Sequence, residues 1–217
     1  FMIGVRGDLT IPSDRVTEGP CAMWHPPALI EGCNLLSKAA AARWLWWNIP
    51  TPPARNTNLA SLIVDKPTGV KWHTKAETKY LLDMMTEHNR AKVDAAKESG
   101  ERIVGTIYRR TRVDADGVKR QRAEVRFDQI AGCLRTPAGG SSRQTIMVVD
   151  GDKVRSRLLS TREAALLMGL PESYVLPQRY NDAYKLVGDG VAVPVVRHLA
   201  ASIFEPILRR NRLAIAA

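Results

Sequence analysis

Apolar residues recur along this chain with two periods, and the change from one to the other divides it. Over 34–100 the spacing is helical. An Ala-rich run over 34–47 predicts a helix with Trp44, Trp46 and Trp47 near its end, and Pro50, Pro52 and Pro53 then force an extended linker. Asn58 opens a short helix through Val64. Thr74 with Glu77 three residues on is a capping box, opening a helix to about Thr86 whose apolar side carries Tyr80, Leu81, Met84 and Met85. A more polar helix follows from about Asn89 to Gly100.

From Arg102 the period changes to two. Strands are expected over 102–112 and 118–127, joined by the turn Asp114-Ala115-Asp116-Gly117. Further strands are expected over 130–136, 144–149 and 153–158, the last two joined by Asp150-Gly151-Asp152. At the other end of the chain, 1–6 reads as a short apolar strand closed by Gly7-Asp8, and 9–29, rich in Pro and Gly, as loop.

The segment 157–196 carries two helix starts with a turn-rich connection between them. Ser160 and Glu163 form a second capping box. Leu158, Ala164, Ala165, Leu167 and Met168 supply apolar surface, and Gly169-Leu170-Pro171 stops the helix. The next helix is expected after Gly188-Asp189-Gly190, with Pro194 in its first turn and Val191, Val195, Leu199, Ile203 and Ile207 as its stripe.

Composition narrows the partners. The 217 residues carry a formal charge of +10. Eight basic residues (Arg102, Arg109, Arg110, Arg112, Lys119, Arg120, Arg122, Arg126) fall between 102 and 126, against Asp114, Asp116 and Glu124. That excess points to DNA phosphate over an ordinary solvated face. No apolar run approaches the roughly 20 residues that span a bilayer, and 1–6 has no basic leader, so no membrane association is expected. Three cysteines, Cys21, Cys33 and Cys133, form no paired framework and suit a reducing cytoplasm.

Candidate chemistry concentrates in the loop 133–144. Gly139 and Gly140 permit close backbone approach, Ser141 and Ser142 offer hydroxyls, and Arg135 and Arg143 flank them with cations. Arg126 can grip guanine or phosphate, and Gln129 can read adenine. Cys21, His25 and Cys33 have no zinc-finger spacing, so no metal site is assigned. Trp44, Trp46 and Trp47 read as packing residues, and His73, His88 and His198 lack acid partners at useful spacing.

Two segments carry a family resemblance. The stretch Arg157-Leu158-Leu159-Ser160-Thr161-Arg162-Glu163-Ala164-Ala165, followed by Met168-Gly169-Leu170-Pro171-Glu172-Ser173-Tyr174, resembles the ninth conserved block of DNA (cytosine-5) methyltransferases. Ala183-Tyr184-Lys185-Leu186-Val187-Gly188-Asp189-Gly190-Val191-Ala192-Val193-Pro194-Val195 resembles the tenth. The chain departs from the family at Asp189, where Asn is usual, and at Leu167, where Arg is usual.

The resemblance implies an α/β architecture: the C-terminal part of a Rossmann-like, S-adenosylmethionine-dependent methyltransferase fold with a small mixed α+β target-recognition domain. It implies a last strand region of the catalytic domain at 1–8, since Phe1-Met2-Ile3-Gly4-Val5-Arg6 is similar to the phrase after the eighth block. A recognition domain at 9–156 (helical over 34–100, β-rich over 101–156) and closing helices at 157–217 follow. Gly188, Asp189, Gly190 and Val191 would border S-adenosylmethionine, and Arg162 would brace one domain on the other. Arg109, Arg110, Arg112, Arg126, Gln129, Arg135, Gly139, Gly140, Ser141, Ser142 and Arg143 would face double-stranded DNA.

Cys21 follows a proline, as the family's nucleophile does, but lies after the 1–6 phrase, where that nucleophile is not expected. The sequence has no Phe-x-Gly-x-Gly, Glu-Asn-Val or Gln-x-Arg-x-Arg block. No catalytic residue is therefore assigned. The expected role is recognition beside an N-terminal catalytic portion or partner subunit, with a split enzyme's recognition subunit or a non-catalytic DNA-binding remnant as alternatives.

Overall fold

Three capping boxes and one long hairpin organise the chain. The computed structural model describes residues 1–134 and 143–216, with side chains through 212. In chain order, β1 (Val16–Thr17), α1 (Pro27–Asn34), α2 (Lys38–Ala41) and β2 (Trp46–Trp47) come first. Then follow α3 (Leu59–Leu62), α4 (Lys75–Asp83), α5 (Glu87–Glu98), β3 (Arg102–Val113), β4 (Lys119–Arg126), β5 (Thr145–Asp150) and β6 (Lys153–Leu158). The last elements are α6 (Thr161–Leu167), α7 (Tyr180–Asp189), α8 (Val193–Leu199) and α9 (Glu205–Ala216), the last two joined by a π-helical turn at Ala200–Phe204. Residues 1–54 with 194–217 form one unit, and 55–193 form the other.

The larger unit is built on one antiparallel sheet in the order β4-β3-β5-β6. Both faces of its central strands are covered. Ile146 and Val148 of β5 join Val104 in a core with Leu59, Ile63, Leu159, Ala164, Ala165, Tyr184 and Val187, from α3, α6 and α7 and the residues beside them. Met147 and Val149 point the other way, joining Ile107, Ala123 and Val125 in a core with Leu81, Met84, Met85, Val93 and Ala96 from the α4–α5 side. The two-residue period of the strands thus feeds two separate cores. Gly105 is required by one of them: a Cβ there would lie 2.6 Å from the Phe127 ring and 2.7 Å from the Arg126 carbonyl.

The caps fix the helix starts. Asn58, Thr74 and Ser160 each accept from the third helical N–H, and the residue at that position returns a hydrogen bond to the cap. The β3–β4 turn closes through Asp114 N–H to the Val118 carbonyl at 3.0 Å, with Gly117 at φ +76°.

In the smaller unit β1 pairs antiparallel with β2. The Trp24 indole donates to the Ile49 carbonyl at 2.8 Å, Trp44 and Trp46 meet edge to face, and His198 Nε2 lies 3.0 Å from the Pro50 carbonyl. Asn211 bonds both backbone groups of Thr10, at 3.0 Å each.

Several expectations are corrected. The run 34–47 is not one helix: Ser37 caps a separate four-residue turn, and Trp46 and Trp47 are claimed by β1. Residues 1–6 belong to no strand, since no strand among the described residues pairs with them, so the short strand expected there is not formed. The same holds for 130–134. Residues 9–29 are not all loop, since β1 and the start of α1 fall there. The second half of the connection before Gly190 is helix, because Tyr180, Ala183, Tyr184 and Val187 form an i, i+3, i+4, i+7 stripe that packs on the sheet. Of the stripe expected after it, Ile203 and Ile207 are buried while Val191 and Val195 are exposed. By length and composition alone the stretch Tyr180–Arg212 is apolar enough to cross a membrane, but its helix is interrupted at Gly190 and its Tyr184 and Val187 are buried in the core.

Candidate nucleic-acid interface

The β3–β4 hairpin runs on past its pairing with β5, which ends at Ile107. Strand register sets what each face carries. Arg110 lies opposite Arg122 and Arg112 opposite Arg120, on the face of Tyr108 and Glu124, while Arg109 lies opposite Ala123 on the other. Like charges directly across a sheet repel, and here acidic residues are set among them. Glu124 accepts from Arg112 Nε at 2.7 Å and has Arg110 at 3.8 Å. Asp114 accepts from Arg120 at 2.7 Å and from Arg122, and Asp116 pairs with Arg120 at 2.6 Å.

Hydrogen bonds from Arg122 first, then Arg120, hold the Asp114 carboxyl below its usual range, and Arg120 does the same for Asp116. The hairpin therefore carries less uncompensated charge than its sequence suggests. The Arg110, Arg112 and Arg120 side chains are nonetheless exposed, so each can exchange a carboxylate partner for a phosphate of the same geometry, while Arg122 is half-buried against Asp114.

The other predicted contacts divide. Arg126 is turned onto Asp128, whose carboxyl it lowers through that hydrogen bond. Gln129 sits at φ +61°, its carbonyl accepting from Leu59 N–H at 3.1 Å and its Oε1 from Ala60 N–H at 3.0 Å. Gln129 thus caps α3, and the two-point amide contact that reads adenine needs the oxygen it uses there. Arg143 donates to Asn181 Oδ1 at 2.5 Å and lies over the Tyr180 ring at 5.4 Å. Arg135, Gly139, Gly140, Ser141 and Ser142 lie outside the described residues.

The segment 157–163 is built around a buried ion pair that sequence reasoning missed. Arg157 is fully buried, and its guanidinium meets Glu163 with both nitrogens, at 2.8 and 2.7 Å. Arg157 also donates to the Val64 carbonyl at 2.7 Å. Glu163 accepts in turn from Val64 N–H at 3.0 Å, Ser160 N–H at 2.9 Å and the Ser160 hydroxyl at 2.8 Å. Burial alone would raise the Glu163 pKa, but the bonds from Arg157, Val64 and Ser160 together outweigh it and hold the carboxyl below its ordinary value. The clasp ties β6, the start of α6 and the chain after α3 together. Its one sequence signal was the Ser160–Glu163 capping box. Arg162, expected to brace one domain on another, instead donates to the Tyr174 carbonyl at 2.9 Å within the same unit.

At the predicted cofactor segment, α7 ends at Asp189 and Gly190 leaves it extended, at φ −72° and ψ 161°. That backbone conformation suits any residue, but a Cβ would press on the Leu186 and Val187 carbonyls at 3.3 and 3.4 Å, so a side chain there requires the helix end to give slightly. Asp189 and Val191 are exposed. Among the described residues no group of three or more His, Cys, Asp or Glu is arranged to hold a metal ion. Cys21 is a free, exposed cysteine, and His25 Nδ1 bonds its backbone N–H at 2.8 Å.

The family model for C-5 cytosine-specific DNA methylases matches residues 2–205. The chain belongs to this family. It is 34% identical over 66 residues to the type II methyltransferase M1.ScrFI of Lactococcus lactis subsp. cremoris, a match covering 30% of this chain and 17% of that protein. It is 30% identical over 87 residues to the DNA (cytosine-5)-methyltransferase CMT2 of Oryza sativa subsp. japonica, covering 40% of this chain and 6% of that one. The chain thus spans only a small part of either relative. C-5 DNA methylases take their methyl group from S-adenosylmethionine; in this chain Arg157, Ser160 and Glu163 of the ninth-block resemblance form a folding clasp.

Proposed function

We propose that this chain supplies DNA target recognition, and one wall of the S-adenosylmethionine pocket, to a DNA cytosine-5 methyltransferase. The hairpin carries the reading: four arginines stand on one of its faces beyond the pairing with β5, Arg110, Arg112 and Arg120 of them exposed, in a member of the methylase family. Arg110 and Arg112, with Arg109 on the opposite face, are the proposed phosphate contacts, and Arg143 a further one. Phosphate contacts of this kind position a protein on the duplex, while base readout falls to the 133–144 loop. The proposed division keeps 9–156 as the recognition region, with 1–8 and 157–217 belonging to a Rossmann-like catalytic domain.

Gly188, Asp189, Gly190 and Val191 fit a cofactor wall. The C-terminal end of α7 carries a negative partial charge beside the Asp189 carboxylate, which suits the cationic part of S-adenosylmethionine, and exposed Val191 offers apolar contact. The cofactor supplies the methyl group, and a base must leave the duplex stack to receive it. Cys21 and the absent sequence blocks give these 217 residues no nucleophile for that step, so methyl transfer requires a further catalytic portion. A recognition subunit of a split enzyme fits the same surface. So does a non-catalytic remnant, a reading favoured by the absent blocks.

Incubation with labelled S-adenosylmethionine and mixed-sequence duplex is expected to leave DNA unlabelled with the chain alone. Label is expected to appear when an N-terminal portion carrying the missing blocks is added. Incorporation by the chain alone that vanishes in Cys21→Ser would overturn the assignment. No incorporation with any such portion would favour the remnant.

A further inference from the structure

The larger unit holds a concave pocket of about 310 Å³ whose lining includes Lys71, His73, Arg143 and Tyr180 above Gly69 and Leu158. It sits where β6 ends, since Leu158 is the last residue of that strand and His73 N–H bonds the Ser156 carbonyl at 2.9 Å. No carboxylate is among its lining residues. The hairpin is the opposite case, with Glu124, Asp114 and Asp116 each set against arginines.

Three of the pocket's polar side chains, Arg143, Tyr180 and His73, have partners behind them. Arg143 is fixed by Asn181 at 2.5 Å and lies over the Tyr180 ring, while the Tyr180 hydroxyl is committed to the Leu159 carbonyl at 2.8 Å. Among the described residues the buried Nε–H of Arg143 has no hydrogen-bond partner. His73 Nδ1 lies 2.9 Å from the Ser156 hydroxyl, itself 2.9 Å from that of Thr78. The direction of that bond follows the ring's tautomer, and the tautomer in which Ser156 donates to Nδ1 is the one that leaves an Nε2–H to donate. Burial lowers the imidazole pKa, with Glu77 pulling it up and Arg109 adding to the fall. Glu77 is taken up by the Thr74 cap at 2.7 Å. Lys71 is exposed and has no ion pair among the described residues.

We propose that this pocket clamps a backbone phosphate of duplex DNA, with Lys71 and Arg143 as its cations and His73 as a hydrogen-bond donor. Two cations, one donor and no competing carboxylate in a concave site match a phosphodiester oxygen set. An arginine fork with a lysine point charge is the pairing that suits it. The proposal rests on the DNA-recognition reading above and adds Lys71 and His73 to it.

The test is fluorescence anisotropy of the full chain with a labelled duplex over a range of salt, for the wild type, Lys71→Ala and Lys71→Arg. Lys71 is exposed, so thermal unfolding midpoints should agree across the three. Each phosphate that is no longer neutralised flattens the slope of log K against log salt by about 0.9. Lys71→Ala should show that flattening and Lys71→Arg should restore the slope. Wild-type binding with a slope unchanged in Lys71→Ala overturns the pocket and leaves the DNA reading standing. No salt-dependent binding by the wild type overturns both.

Discussion

The clasp at 157–163 and the β3–β4 hairpin use the same chemistry, arginine against carboxylate, to opposite ends. In the clasp the side chains of Arg157 and Glu163 are 0% and 2% exposed, and every Glu163 oxygen has at least two donors. In the hairpin the side chains of Arg112 and Glu124 are 51% and 28% exposed, with solvent around them. A buried pair is costly to open because each charge is stranded when its partner leaves. An exposed pair adds little to stability and gives way to a competing ion. Burial therefore decides which arginines hold the fold and which keep exchangeable partners, as the proposed phosphate contact requires, a distinction that residue type alone conceals.

The largest effect that would break this contrast is at the clasp. Glu163→Ala should cost about 3–5 kcal/mol, as removal of one partner from a buried pair does, read from the denaturant midpoint. A loss no larger than that of Arg112→Ala would put the two regions in one class. The same carboxyl sets an acid limit. Its folded pKa lies below the ordinary 4.5, so its stabilisation is fully present above that value and is lost as pH falls through the lower folded one. Unfolding midpoints of the wild type should fall more steeply below about pH 4.5 than those of Glu163→Gln.

A packing change ranks next. Gly105→Ala drives a methyl into the Phe127 ring and the Arg126 carbonyl, for a loss of about 1–3 kcal/mol by overpacking. Calorimetric unfolding would detect it, and an unchanged midpoint would mean that the Phe127 loop yields freely. The smallest stability effect is at the hairpin. Glu124→Gln should leave the midpoint nearly unmoved while releasing Arg110 and Arg112, so that duplex binding tightens and its salt dependence steepens. Weaker binding in that variant would show that Glu124 holds the arginines ready for phosphate instead of competing for them.

Much of the fold was legible because its signals are local. The boxes at Thr74–Glu77 and Ser160–Glu163, the Asn58 cap, the alternation of 102–112 and the turn at Gly117 each act within a few residues. What failed depends on partners distant in sequence. Trp46 and Trp47 leave an Ala-rich run because Val16 and Thr17 pair with them. Gln129, chosen as a base reader, is taken by the N-terminus of α3, 69 residues away. Arg157 sits in a strand pattern that gives no hint of a buried cation, and its reason becomes visible only where β6, α6 and Val64 meet. The stripe of α7 was present in the sequence at Tyr180, Ala183, Tyr184 and Val187, yet the glycines after it drew the reading towards a turn.

We propose that the hairpin arginines meet DNA phosphate while the clasp holds the fold. The most direct test is duplex binding by the chain as a function of salt, comparing the wild type with a variant in which Arg109, Arg110 and Arg112 are all alanine. The account predicts an unfolding midpoint close to wild type and a slope of log K against log salt flatter by up to about 0.9 for each phosphate that these arginines neutralise. A folded variant whose affinity and slope match the wild type would contradict it.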